Sequence, residues 1–312
     1  MRTQWYTNRM AKIYDQAYMG DRVVPMSEAN VSIASAAVLY GLSVYTVMPV
    51  MQTGDGLAAF RIKDHGRRLY NSARIIGIDT YEWDDERFLA AVREVVAANN
   101  VTEDAFVRAT IHVTELVPGV RSRGLQTTLS IFVYEAACIL PRDGARLKTS
   151  VWRRVPDYAI PSRAKVNGAY VNSVLARQDA IDSGYDDCIF LDMSGHVCEL
   201  SAANIFLVRH GALHTPSNAS DILEGISRRT ILELAKDSGL TVCERTVDLT
   251  ELYVADEIFA CGTSAFLTPV IEIDKRVVNG GKIGPVTKQL QEKYFDLLHG
   301  KVPEYGDFLT KL

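Results

Sequence analysis

No apolar run in the 312-residue chain approaches the roughly 20 residues needed to cross a bilayer. The start, Met-Arg-Thr-Gln-Trp-Tyr, has no apolar stretch of signal-peptide length. A soluble, cytoplasmic protein is expected. Five cysteines, Cys138, Cys188, Cys198, Cys243 and Cys261, form an odd set without a CxxC pair. That argues against a disulfide framework or a structural zinc site and suits a reducing compartment. There is no dense basic run: 34 Lys plus Arg stand against 38 Asp plus Glu, a net charge of -4, so nucleic acid is not an expected partner. Of the six histidines, only His210 and His214 have metal-ligand spacing, and they straddle a turn at Gly211 instead of sharing a helix face. No metal is expected. GxSxG, GxGxxG and a GKS-type phosphate loop are all missing, which removes the anchors of hydrolase, dinucleotide-binding and NTPase readings. Internal repeats and low-complexity segments are absent as well.

The patterns that are present describe two domains of α+β type, the default for a chain of this length. In the first half, an apolar alternating stretch over 42–51 turns at Thr53-Gly-Asp-Gly56 into 57–61, a hairpin. A helix is expected with Asp64 as its N-cap and Leu69, Ala73 and Ile76 on its apolar face, and a second from Asp84 or Asp85 to Asn99-Asn100. Strands follow over 105–113 and 127–137. Pro141-Arg-Asp-Gly144 reads as a linker, giving a small first domain over 1–140, a linker over 141–148 and a larger second domain over 149–312. The second half has a strand over 151–155 and a helix over 170–183 with Val171, Val174, Leu175 and Ile181 inward. Hairpins around Ser194-Gly195 and His210-Gly211 come next, then helices from Ile226 and Pro285, with strand-like text over 254–260 and 266–273 between them.

Three segments carry chemistry. Lys165 stands in Ala164-Lys-Val-Asn-Gly168-Ala-Tyr170, with little around it to keep an ammonium solvated; a desolvated lysine becomes an amine nucleophile at neutral pH. An ordinary surface lysine is the plainer alternative, set against the small neighbours that let a flat ring approach. Glu199 ends a strand in Val-Cys-Glu-Leu, where an apolar or exposed residue is normal, and Asn204-Ile-Phe206 follows it. Gly225-Ile226-Ser227-Arg228 opens a helix, whose free amides and dipole suit a phosphate, although a serine there is commonly only a cap. Thr263, in Cys261-Gly-Thr-Ser-Ala265, and Arg61, closing Ala-Ala-Phe-Arg, offer further phosphate contacts. An amine nucleophile, a carboxylate for a pyridine nitrogen and a phosphate site together describe a place for pyridoxal 5'-phosphate.

On these motifs the chain resembles the class IV, fold type IV pyridoxal phosphate transaminases, the family of the branched-chain amino acid aminotransferases. The resemblance rests on Glu199, Asn204-Ile205-Phe206, Thr215 and Leu223-Glu-Gly225-Ile226-Ser-Arg228. Further matches are Tyr40-Gly41, Phe60-Arg61, Lys165 with Tyr170, Ala255-Asp256-Glu257, Gly262-Thr263, Thr268-Pro269-Val270 and Gly284-Pro285-Val286-Thr287. It implies a small α/β domain followed by a pseudo-barrel of mostly antiparallel strands. It implies that Lys165 holds the cofactor and moves a proton as general base and acid, that Tyr170 meets the phenolic oxygen and Glu199 the ring nitrogen, and that Leu223 packs on the ring. Arg61, Ile226, Ser227 and Thr263 would hold the phosphate. The implied reaction runs in two half-reactions from an amino donor to a 2-oxo acid, in a homodimer or larger homo-oligomer.

Tyr40, Tyr45, Val47, Phe106, Arg108 and Ser264 are the substrate residues the resemblance implies, and the departures fall among them. The arginine usual in branched-chain enzymes is replaced by Pro49 and the hydroxyl by Phe106, while Arg108 remains for a distal carboxylate. The Tyr45-x-Val47 pattern is similar to that of (R)-selective amine transaminases and of D-amino acid transaminases. Four readings stand: a branched-chain-like transaminase, an (R)-amine or D-amino acid transaminase, a lyase acting on aminodeoxychorismate, and a non-catalytic binding protein. A loop over 117–126 with Arg121 and Arg123 is a further source of a closing arginine.

Overall fold

The computed structural model describes residues 11–312. The chain divides into two compact units, one running up to Ala137 and including Glu304–Leu312, the other comprising Cys138–Pro303. Elements of the first unit are β1 (Ile13–Met19), β2 (Arg22–Pro25), α1 (Ala36–Leu39), β3 (Ser43–Thr53), β4 (Gly56–Phe60), α2 (Ile62–Ile75), α3 (Asp85–Ala98), β5 (Ala105–Val113) and β6 (Thr127–Glu135). Those of the second are β7 (Ala145–Arg153), α4 (Tyr170–Asp182), β8 (Asp187–Leu191), β9 (Val197–Leu200), β10 (Asn204–Arg209), β11 (Ala212–Pro216), α5 (Ile226–Asp237), β12 (Thr241–Arg245), α6 (Leu249–Leu252), β13 (Glu257–Gly262), β14 (Phe266–Ile273), β15 (Arg276–Val277) and α7 (Pro285–Leu298). β16 (Leu309–Lys311) returns to the first unit.

The first sheet is antiparallel throughout, in the order β16-β4-β3-β5-β6-β1-β2. Its inner strand β3 is buried from Ser43 to Met51. One face, with Val44, Thr46 and Met48, meets α2, while α3 packs on β1, β2 and β6. There the Thr46 hydroxyl lies 2.8 Å from His65 Nδ1, and Ile62, Leu69, Phe88, Val92 and Val95 complete the core. Because side chains alternate along a strand, Tyr45 and Val47 lie on the other face. The register sets Val47 opposite Arg108 and Pro49 opposite Phe106. Asp84 caps α3 as expected, accepting the Arg87 amide at 2.7 Å. Asp64 does not cap α2: the helix begins earlier, the N-cap is Arg61 in a left-handed conformation with φ 47, and Asp64 sits in the first turn as its ion-pair partner at 3.7 Å.

The second sheet follows the order β12-β11-β10-β13-β14-β7-β8-β9, with β15 on β14. It curls, with the Leu200 amide donating to the Ala203 carbonyl at 2.8 Å so that β9 lies beside the start of β10. Most of its pairs are antiparallel, as expected, while β7–β8, β14–β7 and β11–β12 are parallel. Parallel neighbours need a crossover; α4 supplies it between β7 and β8 and α5 between β11 and β12, and β7 and β11 themselves run in opposite directions through the sheet. β7 starts at Ala145, so part of the expected linker is strand, and the expected strand over 151–155 is its last portion with the residues beyond.

The inward face of α4 is a second correction. Val171 and Val174 are each 64% exposed, and Leu175 and Ile181 are exposed too, while Ser173, Ala176 and Ala180 are buried. Small side chains at i, i+3 and i+7 let the helix lie close on β7 and β8, against Cys188 and Phe190. At the other end of the unit, two matched segments meet: the Glu257 carboxylate accepts the amides of Val286 at 3.1 Å and Thr287 at 2.7 Å, closing the N-terminus of α7. Gly284 is required there, since a Cβ would fall 2.0 Å from the Glu257 carboxyl carbon.

Candidate active site

Lys165 lies in the connection from β7 to α4, half-buried, and its Nζ donates to the Tyr170 hydroxyl at 2.5 Å. Tyr170 is the first residue of α4, which fixes where that hydroxyl points. Both side chains line a cavity shared with Leu223 and Arg154, walled on the other side by Ile160 and Val166.

Glu199 is fastened from several directions. Burial at the end of β9 pushes its carboxyl up, and Arg154 first, then the Leu223 amide, Lys165 and Arg228, pull it back. Arg154 Nη2 stands 2.9 Å from Oε1. Asn204 Nδ2 donates to Oε2 at 2.9 Å and to the Leu223 carbonyl at 3.1 Å, while the Leu223 amide donates to both carboxylate oxygens at 3.2 Å. Asn204 is thus a clamp between β9 and the segment entering α5. Gly225 is what lets the clamp fit, because a Cβ there would lie 2.1 Å from Asn204 Oδ1.

Ile226 and Ser227 are the first two residues of α5, where amides have no partner within the helix. Ser227 is buried, and its hydroxyl accepts from Tyr294 on α7 at 3.0 Å. Among the described residues that hydroxyl has no acceptor for its own proton. Thr263 and Ser264 form the β13–β14 turn, and Gly262 before them packs against the Ala202 carbonyl and Ala203, in the turn that leads to Asn204. Lys165, Tyr170 and Leu223 therefore line one cavity, the Leu223 amide ties Glu199 to it, Ile226 and Ser227 follow at the start of α5, and the turn carrying Thr263 lies against the residues before Asn204. Such a set can hold a flat ring bearing an aldehyde, a basic nitrogen and a phosphate.

The remaining expected residues lie in the first unit. Arg61 is buried, its amide donates to the Phe308 carbonyl at 2.6 Å, and its guanidinium lies 3.6 Å from the centre of the Phe308 ring; its role on a phosphate rests on the resemblance alone. Tyr45, Val47, Phe106 and Arg108 share one sheet face, and the Arg108 guanidinium covers the Tyr45 ring at 3.7 Å. Tyr40 stands apart at the C-terminal end of α1, 47% exposed.

Sequence patterns miss Arg154 and Tyr294. Trp152-Arg153-Arg154 holds nothing that separates an inward arginine from an outward one, and Tyr294 reads simply as part of an apolar helix stripe.

Comparison with known proteins agrees with this geometry. The Amino-transferase class IV family matches residues 43–273. A probable branched-chain-amino-acid aminotransferase of Aquifex aeolicus is 37% identical over 300 residues, 95% of this chain and 96% of that protein. The branched-chain aminotransferase of Thermoproteus uzoniensis, solved with norvaline, superposes with a TM-score of 0.92 at 37% identity, covering 95% of this chain and 99% of that one. The T.th. branched-chain amino acid aminotransferase, solved with N-(5'-phosphopyridoxyl)-L-glutamate, does so at 0.87 and 36%, covering 95% and 98%. The fold is therefore fold type IV, and among the described residues no helix is long and apolar enough to cross a membrane. With its family and its relatives in agreement, this chain belongs to the class IV aminotransferases and is a pyridoxal phosphate-dependent enzyme.

Proposed function

We propose that the enzyme moves the amino group of a branched-chain or related L-amino acid to a 2-oxo acid, as a cytosolic homodimer or larger homo-oligomer. The observation that carries this reading is the convergence on Lys165: its Nζ held by Tyr170 in the cavity that Leu223 lines, with the Glu199 carboxylate tied to Leu223 behind. These residues fit pyridoxal phosphate. A buried carboxylate is paired and hydrogen-bonded for a ring nitrogen, and Ser227 keeps an unspent proton beside free helix amides for a dianion. When bound, the cofactor supplies the electron sink that acidifies the α-carbon of the amino donor.

Lys165 Nζ takes the α-proton and returns it, as general base and then general acid, and the Tyr170 hydroxyl orients that nitrogen. Glu199, held by Arg154 and Asn204, keeps a cationic ring nitrogen in place. Ile226, Ser227 and Thr263 would hold the phosphate when the cofactor is bound. Support for the substrate class comes from relatives whose structures hold norvaline and a phosphopyridoxyl adduct of L-glutamate. A second reading, an (R)-amine or D-amino acid donor, is favoured by one observation: Pro49 and Phe106, where the resemblance implies polar groups, are direct cross-strand partners, so one spot on the Tyr45 face is apolar.

Adding donors one at a time to the purified protein with pyridoxal phosphate decides between them. Loss of the visible cofactor band with L-leucine and L-glutamate is expected. A response confined to D-alanine or (R)-1-phenylethylamine would replace this reading with the second, and pyruvate release from aminodeoxychorismate without an acceptor would replace both with the lyase. Lys165→Ala is expected to show no visible band with added cofactor and to lose turnover by about 10⁴-fold or more.

A further inference from the structure

We infer that Tyr294, on α7, is a positioning residue for the cofactor's phosphate, acting through Ser227. The inference rests on the proposed phosphate site at the first turn of α5. Tyr294 is fully buried, its hydroxyl lies 3.0 Å from Ser227 Oγ, and Ser227 is itself only 4% exposed. A serine hydroxyl has one proton to give and two lone pairs to receive with. With Tyr294 as donor, one lone pair is occupied and the rotor is restrained, so the serine proton is directed away from α7.

Among the described residues that proton has no protein acceptor, and a buried donor without one is costly unless a ligand completes it. An anion at the free amides of Ile226 and Ser227 is the chemistry that does so. The start of α7 is held independently: the Glu257 carboxylate fixes its first turn through the Val286 and Thr287 amides, two turns before Tyr294. α7 therefore serves as a rigid strut whose capped end sets the height of the tyrosine hydroxyl. Tyr294 touches neither the cofactor nor the reacting atoms in this scheme. It selects which way Ser227 donates.

The test compares pyridoxal 5'-phosphate with pyridoxal, which lacks the phosphate, by visible titration of the full-length chain. Tyr294→Phe is expected to weaken pyridoxal phosphate about 3- to 10-fold, the range of one net hydrogen bond, and to leave pyridoxal unchanged. Its kcat at saturating cofactor should stay within about twofold of wild type. Ser227→Ala should show the same selective loss, and Tyr294→Phe added to Ser227→Ala should change the ratio no further.

A merely structural tyrosine would weaken both ligands alike or lower only the melting temperature, and either result overturns the inference. Should Tyr294→Phe fail to fold, Ser227→Ala alone decides, since an unchanged ratio there leaves Tyr294 nothing to act through. A wild-type chain that does not distinguish the two ligands would overturn the phosphate site itself; a discriminating wild type with an equally discriminating Tyr294→Phe would overturn only the role of Tyr294.

Discussion

Replacing Arg154 with methionine removes the guanidinium facing Glu199 and keeps most of its volume. The two groups are 2.9 Å apart with side chains 15% and 7% exposed, so the carboxylate left behind has little access to water. Breaking a buried ion pair from one side costs roughly 3–5 kcal/mol. Glu199 keeps the Asn204 and Leu223 donors, which places this case at the low end, about 3 kcal/mol. In a domain of this size each kcal/mol moves the melting temperature by roughly 2–4 °C, so Arg154→Met should melt about 6–12 °C below wild type at pH 7 by circular dichroism. The diagnostic arm is the double variant Arg154→Met/Glu199→Gln, which removes the stranded charge and should recover at least half of the loss although it lacks both native partners. Acidity gives an independent sign. Burial already raises the Glu199 carboxyl, and losing Arg154 raises it further. A carboxyl raised by folding favours the fold below its unfolded value, near 4.3, and that contribution is lost as pH rises through the folded value. The deficit of the single variant should therefore be small near that unfolded value and widen toward neutrality. A double variant that melts no higher than the single one, or a single variant within about 2 °C of wild type at pH 7, would refute the reasoning.

Two further outcomes are expected. Gly225→Ala places a carbon 2.1 Å from Asn204 Oδ1, so Asn204 must leave Glu199 or the Leu223 carbonyl. Pyridoxal phosphate affinity should fall by at least about tenfold, a single lost hydrogen bond to a charged group, with the far-ultraviolet spectrum unchanged; a wild-type titration curve would contradict this. Burial first, then the charge of Arg108, lowers the His112 imidazole to about 4. The neutral ring's contribution is complete above the unfolded value near 6.5 and is lost as pH falls toward 4, about 3 kcal/mol in all. Melting temperatures should drop across that interval and flatten in His112→Gln, and parallel curves for the two proteins would exclude the assignment.

How far the sequence sufficed depends on whether a feature is local. Glu199 to Phe206, Leu223 to Arg228 and the surroundings of Lys165 are contiguous stretches whose residue types have few other uses, and they meet around one cavity. Turn chemistry at Thr53-Gly-Asp-Gly56 and the cap at Asp84 likewise placed β3, β4 and α3. What failed was long-range. The strand β12 is short, polar and at the sheet edge, so its composition does not announce it, and without it the crossover through α5 is invisible. On α4, apolarity pointed to the wrong face because close approach to a sheet selects small side chains over large ones. Arg154 and Tyr294 act through partners 45 and 67 positions away, a separation no periodicity encodes.

The return of β16 to β4 sets an order of events during synthesis. An entire second unit must leave the ribosome before the edge of the first sheet is complete, and the backbone and ring of Phe308, which brace Arg61, are made only after it. The first unit is begun before the second and completed after it, so a nascent chain halted before residue 304 presents an open β4 edge and an unbraced arginine to the cell.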